Sequence, residues 1–291
     1  MRDFLTDFLD RFNYPDEAKK VLIDCYDAMA NDEIAMSVMK KHIDIYTDGG
    51  DYDHSAMLAD TTREALRIGK PWQTSHLVMG ILLSKILKKK YEEKGIDEQF
   101  WIDSVDDFKC KLFECHDVYH VWGSFVGHWW KYFFSMEIIG IGRLQFQMRP
   151  FGYEYKDENI HLTPDMKALA VHIPSSGPLT KELCEDSYSR AMEFFKPYFG
   201  DQKALFMCDS WLLYPDNEEM LPNSNIVRFM KDFKVFKIWE PQKPFNIWTV
   251  FGDSYMLPFE LLPRNTTLRR AYAERLCNGQ RLGVGIGFFI R

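Results

Sequence analysis

The sequence predicts an α+β chain, with a helical N-terminal domain over residues 1–137 and a mixed α/β domain over residues 138–291. Three observations carry this expectation. Apolar residues recur at helical spacing from Phe4 to about Glu137. At Ile138 the period drops to two, and Arg143, Gln145, Gln147 and Arg149 alternate with Leu144, Phe146 and Met148. Farther on, residues 168–173, a Pro-Ser-Ser-Gly-Pro turn, an amphipathic stretch and residues 204–213 read as strand, turn, helix and strand. That is half of a parallel βαβ unit.

In the first half, Phe4, Leu5, Phe8, Leu9 and Phe12 keep a helical period that Asn13-Tyr14-Pro15 ends. Two more helical patterns fill residues 16–45, broken near Ala30-Asn31-Asp32. Residues 46–53 are a loop by their glycines and aspartates, and they lack the spacing and closing Glu of a calcium loop. Residues 56–68 form a further helix, stopped at Gly69-Lys70-Pro71. The next helix, capped by Thr74 or Ser75, is apolar nearly all round to Leu87 and belongs at the centre of its domain. Lys88, Lys89 and Lys90 close it at the negative end of its dipole, and Gly95 stops it. On a single helix over residues 108–134, Val118, Trp122, Phe125 and Trp129 would share one face, with His116, His120, Gly123 and Gly127 opposite. The His pair lacks the Glu of a zinc-protease helix, so packed histidines are expected and no metal site.

In the second half, residues 143–149 form a strand with one hydrogen-bonding face and one core face, and residues 153–155 are its expected hairpin partner. The helix of the βα unit is expected over residues 179–198. A loop over residues 215–222 follows, then a short helix capped by Asn223 or Ser224 and strands over residues 235–239 and 246–251. Thr266 or Thr267 starts a helix to about Cys277, and residues 282–290 are the last strand. There Gly283, Gly285 and Gly287 share one face. A bare face weakens a sheet, so a packed helix, a chain crossing or a bound ligand chain lies against it.

A chain of 291 residues, 46% apolar and 27% charged, has material for a sizeable core. A net charge of −7 argues against a nucleic-acid binder. The most apolar helix, residues 77–87, is shorter than the roughly 20 residues a bilayer needs, so no membrane partner is expected. The acidic, amphipathic opening is unlike a secretory signal, and six cysteines without a Cys-x-x-Cys pair fit reduced thiols in a cytoplasm.

The segments Gly142-Arg143-Leu144-Gln145-Phe146, His172-Ile173-Pro174-Ser175-Ser176-Gly177-Pro178-Leu179 and Cys208-Asp209-Ser210-Trp211-Leu212-Leu213 carry a resemblance. In this order they resemble the GNAT fold of acyl-CoA-dependent N-acyltransferases. The likeness is closer to a bacterial group that joins a helical N-terminal acyltransferase domain to a GNAT-like C-terminal domain. It covers the C-terminal half well and the helical half by size and character. The resemblance implies an acyl-CoA co-substrate, no metal, and an amine acceptor on a small molecule or peptide. It implies a pantetheine arm between strands 168–173 and 204–213, with Ile173, Ser175, Ser176, Gly177 and Leu179 around the cofactor and the pyrophosphate at 175–177. The sequence departs from the usual Gln/Arg-x-x-Gly-x-Gly/Ala turn, of which Gly177 alone survives clearly, and Pro178 removes one N–H. The usual tyrosine acid on the following helix is absent, since residues 225–233 hold no Tyr.

Acyl transfer to an amine needs a base for the ammonium proton, an N–H to polarise the carbonyl and an acid for the leaving thiolate. His172, at the carboxyl end of a strand, is the candidate base, and an imidazole titrates near working pH. A hydrogen-bonded sheet histidine is the alternative. Ser210 and Asp209 end the neighbouring strand on opposite faces, so at most one of them meets His172. Tyr214 is a stand-in acid, and Cys208 reads as a buried small hydrophobe rather than a nucleophile. No Gly-x-Ser-x-Gly elbow supports a hydrolase triad. A helix opening at Pro178–Leu179 would turn its first N–H groups toward a phosphate. The eroded turn and missing tyrosine favour a competing reading, a non-catalytic acyl-CoA or nucleotide-binding protein on a degenerate scaffold. His172 and Ser210 favour the acyltransferase.

Overall fold

The computed structural model describes residues 1–50, 52–200, 202–244 and 246–291. The chain divides into two compact units, Met1–Ile139 and Gly140–Arg291.

The first unit is helical: α1 (Arg2–Arg11), α2 (Asp16–Ala30), α3 (Glu33–Thr47), α4 (His54–Arg67), α5 (Trp72–Glu93), α6 (Glu98–Tyr119) and the short α7 (Lys131–Phe134). Asp32, Asp53 and Asp97 cap α3, α4 and α6, their carboxylates accepting from first-turn N–H groups. The centre is α5, buried without interruption from Thr74 to Ser84 and packed against α1, α2, α3, α4 and α6. Its cap is Pro71 rather than Thr74 or Ser75, because proline suits the start of a helix. Thr74 sits inside the helix and donates to the Trp122 carbonyl at 2.9 Å. Nor does one helix run over residues 108–134. His120 takes a left-handed φ of 55° and ends α6, so the two-faced projection fails beyond Tyr119. His116 instead stacks on Trp122 with ring centroids 3.7 Å apart. The 46–53 loop includes Asp51, which lies outside the described residues. Among the described residues no helix is long and apolar enough to cross a membrane.

The second unit is built on a six-stranded mixed sheet in the order β1 (Ile138–Ile141), β2 (Leu144–Pro150), β5 (Lys167–His172), β6 (Leu205–Ser210), β8 (Val284–Ile290), β7 (Lys234–Trp239). Between β2 and β5, β3 (Tyr155–Lys156) and β4 (His161–Leu162) form a separate two-stranded ribbon. Strand β2 therefore lies between β1 and β5, antiparallel to β5 with Gln145 opposite His172, and does not pair with residues 153–155. The long helix expected over 179–198 is two pieces, α8 (Lys181–Phe194) and α9 (Lys196–Phe199), with Pro197 in the first turn of the second. Strand β6 stops at Ser210, and a 3₁₀ turn covers Trp211–Leu213. The short helices α10 (Asn217–Met220) and α11 (Asn225–Met230) precede β7. Residues 246–251 are not a strand: Trp248–Phe251 is the short helix α12, and buried Ile247, Val250 and Phe251 have helical spacing. Helix α13 spans Thr267–Cys277, capped by Thr266.

Register assigns each face of the sheet. Phe146, Phe206 and Phe289 lie under Tyr188 of α8, with centroids 6.5, 5.6 and 4.9 Å from its ring. The opposite face buries Ala168, Ala170, Leu205, Met207 and Phe288 beneath Phe151 and Leu162. The three glycines of β8 and its approach meet a chain crossing. A Cβ at Gly285 would strike the Leu213 carbonyl and one at Gly283 the Tyr214 ring. The segment 211–214 is the tenant of the bare face.

Candidate active site

Strands β5 and β6 pair in parallel over Leu169↔Phe206 and Ala170↔Met207. Their carboxyl ends, through His172 and Ser210, run on beyond this short ladder. In open α/β sheets such ends gather functional groups.

The turn after β5 is shaped by Arg143. Its guanidinium donates to the carbonyls of Pro174 at 2.9 Å, Gly177 at 3.1 Å and Pro178 at 3.1 Å, and its backbone N–H donates to Ser187 Oγ of α8 at 2.9 Å. A buried guanidinium thus collects the turn's carbonyls. Gly177 takes φ +79° and has open space where a side chain would stand. The helix opens later than expected, at Lys181, because Thr180 is the better cap and its hydroxyl accepts from Leu183 N. Glu182 in that first turn is held below its usual range by its own backbone N–H and by Thr180. The first turn of α8 therefore already carries a hydroxyl and a carboxylate, and in the turn before it the Gly177 N–H donates to the Ser175 carbonyl at 3.1 Å.

His172 lies on the Ala170/Met207 face, half-buried, with Nε2 3.4 Å from Gln147 Oε1. Burial first, and then the Arg149 charge, push its imidazole down to about 4. The ordinary titration expected from its residue type does not hold in this environment. Asp209 shares this face by register, opposite Ile286, while Ser210 is opposite Gly285 on the other face. The structure brings His172 and Asp209 to one side of the sheet and leaves Ser210 across it, where its hydroxyl accepts from Leu212 N at 3.2 Å. Surrounding protein pushes the Asp209 carboxyl up, although the residue is exposed, and Arg149 and Lys237 oppose this. Sequence alternation placed Arg149 on the polar face but gave no sign that its charge would act on His172, Cys208 and Asp209 together.

Tyr214 belongs to the Ser210 side. Its hydroxyl donates to Glu240 Oε1 at 2.6 Å, lies 3.0 Å from Asp216 Oδ2 and accepts from Arg275 at 3.0 Å. Burial and the two carboxylates raise its phenol, which keeps it protonated. Cys208 is buried and its thiol is raised by burial. Ile173 and Leu179 are half-buried at the two ends of the turn, and Ser175 is exposed with Ser176 half-buried between them.

Residues 3–136 match the N-acyltransferase N-terminal domain family, and residues 138–289 match the GNAT-like C-terminal domain family. A search of curated proteins finds no match. Among solved structures, an acyltransferase in complex with decanoyl-CoA and teicoplanin is similar at 21% identity and TM-score 0.75, over 98% of this chain and 86% of that one. An acyltransferase mutant in complex with octanoyl-CoA matches at 20% identity and TM-score 0.74, over 97% and 86%. An acyltransferase in complex with CoA and 10C-teicoplanin matches at 21% identity and TM-score 0.73, again over 97% and 86%. The chain belongs to the acyltransferase family in which an N-acyltransferase N-terminal domain is followed by a GNAT-like C-terminal domain.

Proposed function

We propose that the chain transfers an acyl group from an acyl-CoA thioester to an amine on a small molecule or peptide. The observation that carries this reading is the open carboxyl end of β5 and β6 beside the Arg143-held turn. Acyl-CoA complexes of similarly folded acyltransferases support it. The pantetheine arm lies between the two strands and the pyrophosphate sits at the Ser175–Gly177 turn, where small residues allow its close approach. The amine nitrogen attacks the thioester carbonyl carbon, the C–N bond forms, the C–S bond breaks, and the proton His172 takes from the amine returns to the sulfur, so that CoA leaves as the thiol. His172, neutral at working pH, accepts the amine's proton, while Asp209 on the same face attracts the incoming ammonium.

A second reading, acyl-CoA binding without turnover, is favoured by the depressed imidazole and by the commitment of Tyr214 to Glu240, Asp216 and Arg275. Incubation with decanoyl-CoA and a panel of primary amines separates the two. Thiol release that depends on an amine supports transfer. Binding without release across the panel supports the second reading, and no binding removes both.

A further inference from the structure

The helical unit holds a cleft of about 660 Å³ that no step of acyl transfer uses. Its floor is fixed by internal hydrogen bonds. The Tyr46 hydroxyl donates to the Phe134 carbonyl at 2.9 Å. The His54 Nε2–H donates to the Gly127 carbonyl at 2.8 Å, which leaves Nδ1 to accept from the Tyr52 hydroxyl at 3.1 Å. Two tyrosine rings are thus held in place before anything binds.

Around this floor stand Lys90, Lys94 and Lys131. Among the described residues none of the three forms an ion pair, whereas Lys88 and Lys89 of the same helix pair with Glu98 and Glu93. The half-buried Lys90 ammonium sits 3.6 Å from the Tyr46 ring centroid, and burial pushes its pKa down. Among the described residues, the two carboxylates at the rim are engaged locally. Asp53 caps α4 through Ser55 N and Ala56 N, and Glu137 accepts from the Ser135 hydroxyl at 2.9 Å. In a chain of net charge −7, three cations that form no ion pair among the described residues, around a preformed aromatic floor, form a site for an anion. Ammonium groups approach phosphate oxygens from any direction, without the planar fork that matches a carboxylate. The volume suits a small metabolite rather than a bare ion.

We propose that this cleft binds a phosphate-bearing small molecule, its phosphate among Lys90, Lys94 and Lys131 and its body against Tyr46 and Tyr52. The site is distinct from the turn at Ser175–Gly177 and its existence does not depend on acyl transfer.

Inorganic pyrophosphate is the probe, read by the melting temperature of the full chain. A concentration-dependent rise of about 3 °C or more is expected. It persists in Gly177→Asp, which puts a carboxylate at the other candidate phosphate site, and is lost in Lys90→Met and in Lys131→Met. Because the Lys90 charge is disfavoured by burial, Lys90→Met is expected to keep or raise the melting temperature of the free protein. Lys131 is exposed, so its replacement leaves folding intact. No rise in the wild-type chain overturns the proposal, as does a rise that Gly177→Asp removes or that either lysine replacement leaves intact.

Discussion

The Arg143 guanidinium donates to the Gly177 carbonyl at 3.1 Å across a sequence separation of 34 residues. A side chain entering β2 therefore sets the shape of the turn that follows β5, and the turn's carbonyls face inward to it. Within the same turn the Gly177 N–H donates to the Ser175 carbonyl at 3.1 Å.

Replacing Arg143 with Ala removes a buried cation from three carbonyl acceptors. The expected cost is roughly 3 kcal/mol in urea denaturation, with acyl-CoA affinity at least tenfold weaker. Arg143→Lys keeps the charge but lacks the fork, so it is expected to lose affinity as well. Wild-type stability and affinity in Arg143→Ala would falsify the clamp.

Tyr214 is expected to matter for folding rather than for proton transfer. Tyr214→Phe removes the hydroxyl that links Glu240 to the Asp216–Arg275 ion pair and is expected to cost about 1–2 kcal/mol, with turnover preserved. Gly285→Ala forces a methyl into the Leu213 carbonyl and is expected to destabilise more, by about 2 kcal/mol or above. Lost turnover in a fully stable Tyr214→Phe protein would restore the tyrosine as an acid.

The fold was legible wherever pattern and environment agree. The alternation through Leu144, Phe146 and Met148 reports a real strand, and the apolar run to Leu87 reports a helix buried on every side. Legibility failed where a short apolar run carries both periods, as in residues 246–251. It failed where one residue's backbone angle decides the outcome, as at His120, whose left-handed conformation nothing in its type announces. At the candidate site the strand ends and the turn were visible. The grip of Arg143 on that turn was not, because alternation shows which face a side chain occupies and not which distant carbonyls it reaches. The low imidazole pKa of His172 depends on burial and on Arg149, both products of the tertiary fold.

That low value has a measurable consequence. A histidine depressed in the folded state favours folding fully above the unfolded value near 6.5. The stability falls as pH drops, because the unfolded chain takes up the proton first. His172 and His76 are both pushed down to about 4, so each is expected to contribute a loss on the order of 1 kcal/mol per pH unit between about 6.5 and 4. His172→Gln is expected to flatten the pH–stability curve by one group's share. In a turnover assay the acid limb set by His172 is expected near pH 4. A limb near 6.5 would show an imidazole less buried than described.

Five cysteines are buried and Cys277 is exposed, next to Arg264. Iodoacetamide on the folded chain is expected to add one adduct, at Cys277, and turnover is expected to survive it. Fast alkylation of Cys208 with loss of activity would identify a thiol nucleophile that burial should silence.

The central claim is that acyl-CoA is held at the turn between β5 and α8, and calorimetric titration of decanoyl-CoA into wild-type and Gly177→Asp protein tests it most directly. Gly177 has φ +79° and open space beyond its Cα, and Asp tolerates that conformation at a cost of about 1 kcal/mol, so the variant is expected to fold. The added carboxylate stands where the pyrophosphate belongs. Saturable binding to the wild-type chain, weakened at least tenfold in Gly177→Asp with the melting temperature nearly unchanged, is the predicted result. No heat of binding in the wild-type chain, or equal affinity in the two proteins, would contradict it.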